Sequence, residues 1–311
     1  METAMTELIL KVIQPLAALL FAPMLLGIIN RIKAKFAGRK GQPILQTYYD
    51  LWRLFHKGAV YSTTTSWIFR ITPIVCFASI IMTLMIVPLG GGNRSFFSFN
   101  GDLILAAYLL GLMRFFIVIG ALDTGSSFEG MGSSREVHFS ALAEPALFIA
   151  LAAMARQTSS ISFAGIFASV SPQIWTTGCA TMLLAAAAVI IILLTENARI
   201  PIDDPNTHLE LTMIHEVMVL DNSGPDFGFI LYGAALKLWI FASILAGILL
   251  PVSGLSRIFS IPLTIISIFA ISIVVGIIES CIARVRLINV PNLLLTAISF
   301  AILSLVFALR G

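Results

Sequence analysis

Apolar runs of about 20 residues recur along this chain, and each is long enough to cross roughly 30 Å of hydrocarbon as a helix. They fall near residues 8–29, 68–89, 102–122, 139–155, 175–195, 228–250, 260–281 and 289–309. No water reaches the bilayer core to satisfy peptide groups, so runs of this kind must close their own hydrogen bonds as helices. The expected fold is all-α: a polytopic integral membrane protein with about eight transmembrane helices in one membrane domain, 1–311. Charged residues make up only 11% of the chain, where ordinary soluble domains carry about a quarter. The run at 139–155 is short and must borrow residues from the polar stretch before it, so its lower end is expected inside protein. The opening "METAMTEL" is acidic and leads into apolar sequence, which predicts a retained first helix and no cleaved signal.

Basic residues are distributed unequally among the connections. Arg31, Lys33, Lys35, Arg39, Lys40, Arg53 and Lys57 lie between the first two runs, with Arg70 at the next boundary, and Arg284 and Arg286 lie between the last two. Connections of the other parity hold Arg94, Arg156 and Arg257. The positive-inside rule then puts the odd-numbered connections in the cytoplasm and both termini outside. The expected cytoplasmic loops are 30–67, 123–138, 196–227 and 282–288.

Cys76, Cys179 and Cys281 are far apart and fall in predicted spans, with no spacing for zinc or an iron-sulfur cluster. Neither a Gly-rich phosphate loop nor a dinucleotide fingerprint is present, internal repeats are lacking, and nothing suggests a nucleic-acid partner. No metal site is expected in the chain itself.

Four polar regions carry the remaining information. The first is "NRIKAKFAGRKGQPILQTYYDLWRLFHKG", where Tyr48, Leu51, Trp52, Leu54 and Phe55 suggest an amphipathic helix along the membrane surface. It serves either as a lipid-headgroup anchor or as a docking platform, with Gly41 and Pro43 shaping a fixed turn. The second, "LDTGSSFEGMGSSREVHFSALAEPALF", is Gly- and Ser-rich and expected to be a flexible loop before Glu136 and Glu144 enter an apolar helix. A carboxylate near a span centre costs roughly 2.5–3.5 kcal/mol unless paired, hydrated or protonated. In the third, Glu196 and Arg199 are expected to pair on one helix face before Pro201 ends the helix. A turn at Asp203-Asp204-Pro205 and a short helix carrying His208 and His215 follow, and two histidines alone do not make a metal site. The fourth region comprises charges inside spans: Arg114, Lys237 and Glu279, with Arg284 close enough to an end to snorkel. Arg114 and Lys237 need buried partners, and the carboxylates of the polar stretches are the natural candidates.

These motifs resemble a known family, the membrane subunit at the junction of respiratory complex I, called the H subunit or ND-one, and of membrane-bound nickel-iron hydrogenases. In the first loop Arg39, Gly41, Gln46, Asp50, Leu54 and Lys57 correspond to the family pattern. In "ENARIPIDD", "LEL" and "DNSG" the matching positions are Glu196, Asn197, Arg199, Pro201, Asp203, Glu210, Ser223 and Gly224. Asn206 and His208 stand where complex I carries two acids, and Asp221-Asn222 replace a Glu-Tyr pair. Gly-Gln-Pro replaces Gly-Pro-Asn, and "LDTGSSFEGMGSSRE" with "EP" looks like the hydrogenase branch, including formate hydrogenlyase and energy-converting hydrogenases.

The resemblance implies a membrane anchor and coupling subunit of a multisubunit nickel-iron hydrogenase complex in the cell inner (cytoplasmic) membrane. Its partners would be hydrogenase large and small subunits, iron-sulfur subunits and antiporter-like membrane subunits. The nickel-iron centre and the iron-sulfur clusters would lie in those partners. Glu136, Glu144, Glu196, Asp203, Glu210, Lys237 and Glu279 would serve proton relay or coupling. Arg39, Asp50, Lys57, Arg199, His208 and Asp221 would serve docking of the peripheral arm. The alternatives are a complex I H subunit lining a quinone chamber and an autonomous secondary transporter.

Overall fold

In the computed structural model, residues 2–90, 95–203, 213–251 and 257–310 are described, with side chains for 11–90, 95–203, 213–251 and 259–310. Among the described residues, eight helices long and apolar enough to cross a membrane account for the eight apolar runs. They are α1 (Glu2–Phe36), α3 (Trp67–Ile86), α4 (Asp102–Asp123), α5 (Ser127–Thr158), α8 (Cys179–Glu196), α9 (Gly224–Leu249), α10 (Arg257–Cys281) and α11 (Val290–Arg310). Shorter helices are α2 (Gln46–Phe55), α6 (Phe163–Ser169) and α7 (Pro172–Thr177), and no strand occurs among the described residues. The expectation of an all-α polytopic membrane protein holds.

Helix α9 is the axis of the bundle, touching α1, α2, α3, α8 and α10, with Trp239 and Phe241 fully buried along it. Lipid tails are as apolar as leucine, so helices in a bilayer associate through close packing and polar contacts. Helix α8 supplies the close packing with Ala185, Ala186 and Ala188, and α11 meets it with Ala297, Ala301 and Ala308. Ser304 of α11 donates to the Thr181 carbonyl at 2.8 Å, adding a polar contact to that seam.

Two sequence expectations change. The stretch 127–138, expected within a loop, is helical: α5 runs unbroken for 32 residues, roughly 48 Å at 1.5 Å per residue. Packing overrides the low helix propensity of its glycines and serines, because Glu129, Gly132, Ser133 and Glu136 are all buried. The short apolar run 139–155 does borrow its missing length from this polar segment. The second change concerns Glu196 and Arg199. Helix α8 stops at Glu196 and Ala198 adopts φ +50°, so the two side chains leave in different directions.

In the first loop α2 forms where the apolar pattern places it, burying Thr47 and Leu51 while Tyr49 and Trp52 stay exposed. Gly41 turns the chain at φ +67°. Gly27 of α1 allows the loop to lie flat, since a Cβ there would sit 1.9 Å from the Ile44 carbonyl oxygen. The helix expected to carry His208 and His215 lies partly outside the described residues. Its described part, from Met213, contains a 3-10 turn at Glu216–Val219.

The polar connections gather at one end of the bundle. Asp123 Oδ2 accepts from the Ser66 amide at 2.7 Å, and the Val60 amide donates to Ser223 Oγ at 3.0 Å. The Val285 amide donates to the Pro201 carbonyl at 2.9 Å.

Candidate functional site

Arg114, in mid-α4, cannot lose its charge in a protein, so a bundle that buries it must bring anions to it. Three arrive. Arg114 Nε lies 3.0 Å from Glu136 Oε1 of α5, Nη1 bonds Glu144 one helical turn pair further along α5, and Nη2 bonds Glu196 at the end of α8. Glu136 and Glu144 are eight residues apart and therefore share a face of α5. Glu196 also holds Lys237 of α9 at 2.8 Å. Arg114, Glu136, Glu196 and Lys237 are all buried, whereas the Glu144 side chain is 46% exposed.

A second group lies across the segment 199–203. Glu279 of α10, fully buried, pairs with Lys33 of α1 at 2.9 Å and with Arg199 at 3.5 Å. Asp203 pairs with Arg284 at 3.0 Å and accepts the amides of Ile214 and His215 at 3.1 and 3.3 Å. His215 links the two groups, with Nε2 3.2 Å from Glu136 Oε2 and Nδ1 3.8 Å from Asp203 Oδ2. Among the described residues, the carboxylates Glu136, Glu144, Glu196, Asp203 and Glu279 thus face the cations Arg114, Lys237, Arg199, Arg284 and Lys33. The His215 imidazole is a further proton-binding group between them.

Asp203 and His215 lie outside the spans, and their surroundings set their charge. Burial opposes the Asp203 carboxylate, but His215, the Ile214 amide and Arg284 together hold its pKa below the ordinary range. Burial also opposes the His215 imidazolium, as does Lys237, yet Glu136 and Asp203 outweigh both and raise its pKa above the ordinary imidazole value.

Above the network is a cavity of about 400 Å³. Arg114, Glu136, Glu196, Arg199, His215 and Lys237 form its charged wall. Leu26 of α1, Met113 and Ile117 of α4, and Phe227, Ile230 and Leu231 of α9 form the apolar one, with Gln46 and Asp50 of α2 at its edge. On the other side of Arg114, a groove of about 650 Å³ runs between α4 and α5, lined by Leu105, Tyr108, Val137 and Ser140 and reaching Glu144.

The coupling residues expected from sequence therefore meet in space: Glu136, Glu144, Glu196, Asp203, Lys237 and Glu279 are all members of the network, while Glu210 lies outside the described residues. The docking residues divide. Arg39, Lys57 and Asp221 are exposed at the polar end. Asp50 turns toward the cavity and accepts from Gln46 Nε2 at 2.9 Å. Arg199 is buried, pairing with Glu279 and lining the cavity wall; His208 lies outside the described residues. Sequence reasoning left out Glu129, which is fully buried and accepts the Asp221 amide at 3.0 Å. Its signal was the seven-residue spacing from Glu136, two turns along one face. Arg284 pairs with Asp203 in addition to lying near a span end. No group of three metal-ligating side chains gathers among the described residues.

A family model described as NADH dehydrogenase matches residues 9–309. Hydrogenase-4 component C of Escherichia coli (strain K12) is 31% identical over 304 residues, covering 96% of this chain and 95% of that protein. Formate hydrogenlyase subunit 4 of the same organism is 28% identical over 309 residues, covering 96% and 98%. A chain in the structure of the membrane-bound sulfane sulfur reductase, an archaeal respiratory membrane complex, superposes with a TM-score of 0.82 at 21% identity. That superposition covers 97% of this chain and 99% of the other, and at such identity it speaks for the fold.

Proposed function

The chain belongs to the NADH dehydrogenase family, and on that premise we propose that it is the membrane anchor and coupling subunit of a respiratory nickel-iron hydrogenase complex. One observation carries the reading: a continuous buried charge network lies between a cavity at the polar end of the bundle and a half-exposed carboxylate, Glu144, in an outward groove. A bundle held together only for stability has no need to leave one member of its central cluster exposed within a span, where charge is costly.

In this reading the polar end is cytoplasmic, both termini face outward, and the membrane is the inner (cytoplasmic) membrane. Arg39, Lys57 and Asp221 dock a peripheral arm composed of hydrogenase large and small subunits and iron-sulfur subunits. The arm holds the nickel-iron centre and the clusters, and this chain carries no redox step. Events in the arm press on 199–203 and 213–221, and the disturbance passes through Arg199, Asp203 and His215 to Glu136, Arg114, Glu196 and Lys237. It leaves through Glu144 to antiporter-like subunits seated in the α4/α5 groove, which move protons or sodium. The identity of 31% to a hydrogenase component supports this branch of the family.

A second reading, a complex I H subunit with a quinone chamber, is favoured by the cavity itself, whose apolar wall and charged wall suit a ligand with a polar head. Gentle purification of the tagged chain from native membranes separates the two. Nickel and hydrogenase subunits in the eluate support the first, whereas a nickel-free eluate with flavin and NADH-oxidising subunits replaces it with the second. Purification without companions would return the chain to the transporter class.

A further inference from the structure

The N-terminal half of α5 meets the segment 213–221 at successive helical turns. Glu129 Oε1 accepts the Asp221 amide at 3.0 Å. Gly132 lies so close beneath the segment that a Cβ there would be 2.3 Å from Val217 Cγ1 and 3.0 Å from the Ile214 carbonyl oxygen. Arg135 Nη1 donates to the Met213 carbonyl at 2.8 Å. Glu136 then faces His215 at 3.2 Å. The last of these contacts joins two titratable side chains, and His215 is flanked on its far side by Asp203, which also accepts the segment's own amides at Ile214 and His215.

We infer that His215 is a protonation-dependent clasp: as imidazolium it ties its part of the segment 213–221 to Glu136 of α5 and to Asp203, and on losing its proton it loosens the segment around His215 from α5. Glu136 then answers to Arg114 alone, so the state of one imidazole reaches the centre of the buried network. The charged groups facing His215 are Glu136 from α5, Asp203 from the chain after α8 and Lys237 from α9. Glu216, Arg199 and Asp50 line the same cavity, and Arg114 and Arg284 stand behind Glu136 and Asp203 respectively.

Imidazolium offers a positive charge and an N–H to each of the two carboxylates, whereas neutral imidazole has a single N–H and can face only one of them as a donor. The sign follows from the raised pKa of His215. The clasp is fully closed below the ordinary imidazole value of about 6.5 and opens as the pH climbs through the raised value. Glu129, Gly132 and Arg135 hold the segment at its other contacts, so opening is local and does not unfold the bundle.

This inference deepens the coupling reading above but is testable in the resting complex, whatever its electron donor. Hydrogen exchange is followed by mass spectrometry on the intact purified complex from pH 5.5 to 9, corrected for the intrinsic pH dependence, in peptides covering 213–221. The wild-type segment is expected to lose protection by about tenfold or more across the transition, the scale of a charge-assisted hydrogen bond. His215→Gln is expected to be weakly protected and flat with pH. Glu136→Gln, which keeps the shape of the partner, is expected to move the wild-type transition to lower pH, and it carries the test if His215→Gln does not assemble. Protection that is independent of pH in the wild type, an unchanged transition in Glu136→Gln, or a wild-type profile in His215→Gln would overturn the clasp. None of these results depends on whether nickel accompanies the chain, so failure here is distinct from failure of the hydrogenase reading.

Discussion

Glu196→Gln is the sharpest perturbation of the network. Glu196 is buried and serves two cations at once, Arg114 through Oε1 and Lys237 through Oε2 at 2.8 Å. Glutamine keeps the shape and one acceptor oxygen but removes the negative charge. Arg114 retains Glu136 and Glu144, whereas Lys237 is left inside the bundle with its ion pair gone. Breaking a buried ion pair from one side costs about 3–5 kcal/mol, while replacing both partners by apolar groups of similar size is often close to neutral. The single variant is therefore expected to destabilise the chain by about 3–5 kcal/mol, and Glu196→Gln combined with Lys237→Met is expected to recover most of that loss. Thermal dissociation of the assembled complex, followed by fluorescence-detected size exclusion, gives the ranking, with a fall on the order of 5–10 °C for the single variant. Two results would refute the reasoning. One is a single variant no worse than a surface substitution, within about 0.5 kcal/mol. The other is a double variant whose cost equals the sum of the two singles, which would mean that Glu196 and Lys237 do not interact.

Other variants probe the remaining links. Gly132→Ala places a methyl against Val217 and is expected to cost about 1–3 kcal/mol as overpacking; hydrogen exchange in 213–221 should rise at every pH, and unchanged exchange would show that the segment does not rest on α5. Asp203, with its pKa held below the ordinary range, contributes its stabilisation above the usual carboxylate value of about 3.9 and loses it as pH falls through the lowered one. Protection of Ile214 and His215 amides should therefore persist down to about pH 4 and then fall, and Asp203→Asn should be weakly protected at neutral pH already. Arg39→Ala with Lys57→Ala, both exposed, should leave chain stability within about 0.5 kcal/mol yet release the peripheral arm in a salt wash; a fully retained arm would contradict their docking role.

The membrane fold was legible because a bilayer imposes one length and one polarity on every spanning helix. The demand for buried partners at Arg114 and Lys237 was equally legible, since a charge inside a span must be answered. Which carboxylates answer was only partly visible. The spacing of Glu196 and Arg199 invited an i, i+3 pair, but α8 ends at Glu196 and the φ +50° of Ala198 sends Arg199 to Glu279, 80 residues away. The Gly/Ser stretch at 127–138 looked like a loop because its local propensity is low. Its helix is held by contacts with α4 and with 213–221, and the smallness of Gly132 is what lets that segment approach. His215 suggested a partner for His208 by spacing, whereas its structural surroundings are two acids from distant parts of the chain. Such meetings are set by helix packing, which no local pattern encodes.

The central claim is that the network couples electron transfer in a docked arm to ion movement, and Glu144→Gln in the native complex tests it most directly. Glu144 is half-exposed and its partner Arg114 keeps two other carboxylates, so assembly should survive. The measurement is ions translocated per electron transferred in sealed vesicles, with electron transfer recorded in parallel. Continued or slowed electron transfer with a clear fall in ions moved per electron is the predicted result. An assembled Glu144→Gln complex with wild-type turnover and a wild-type ion-to-electron ratio would contradict the account.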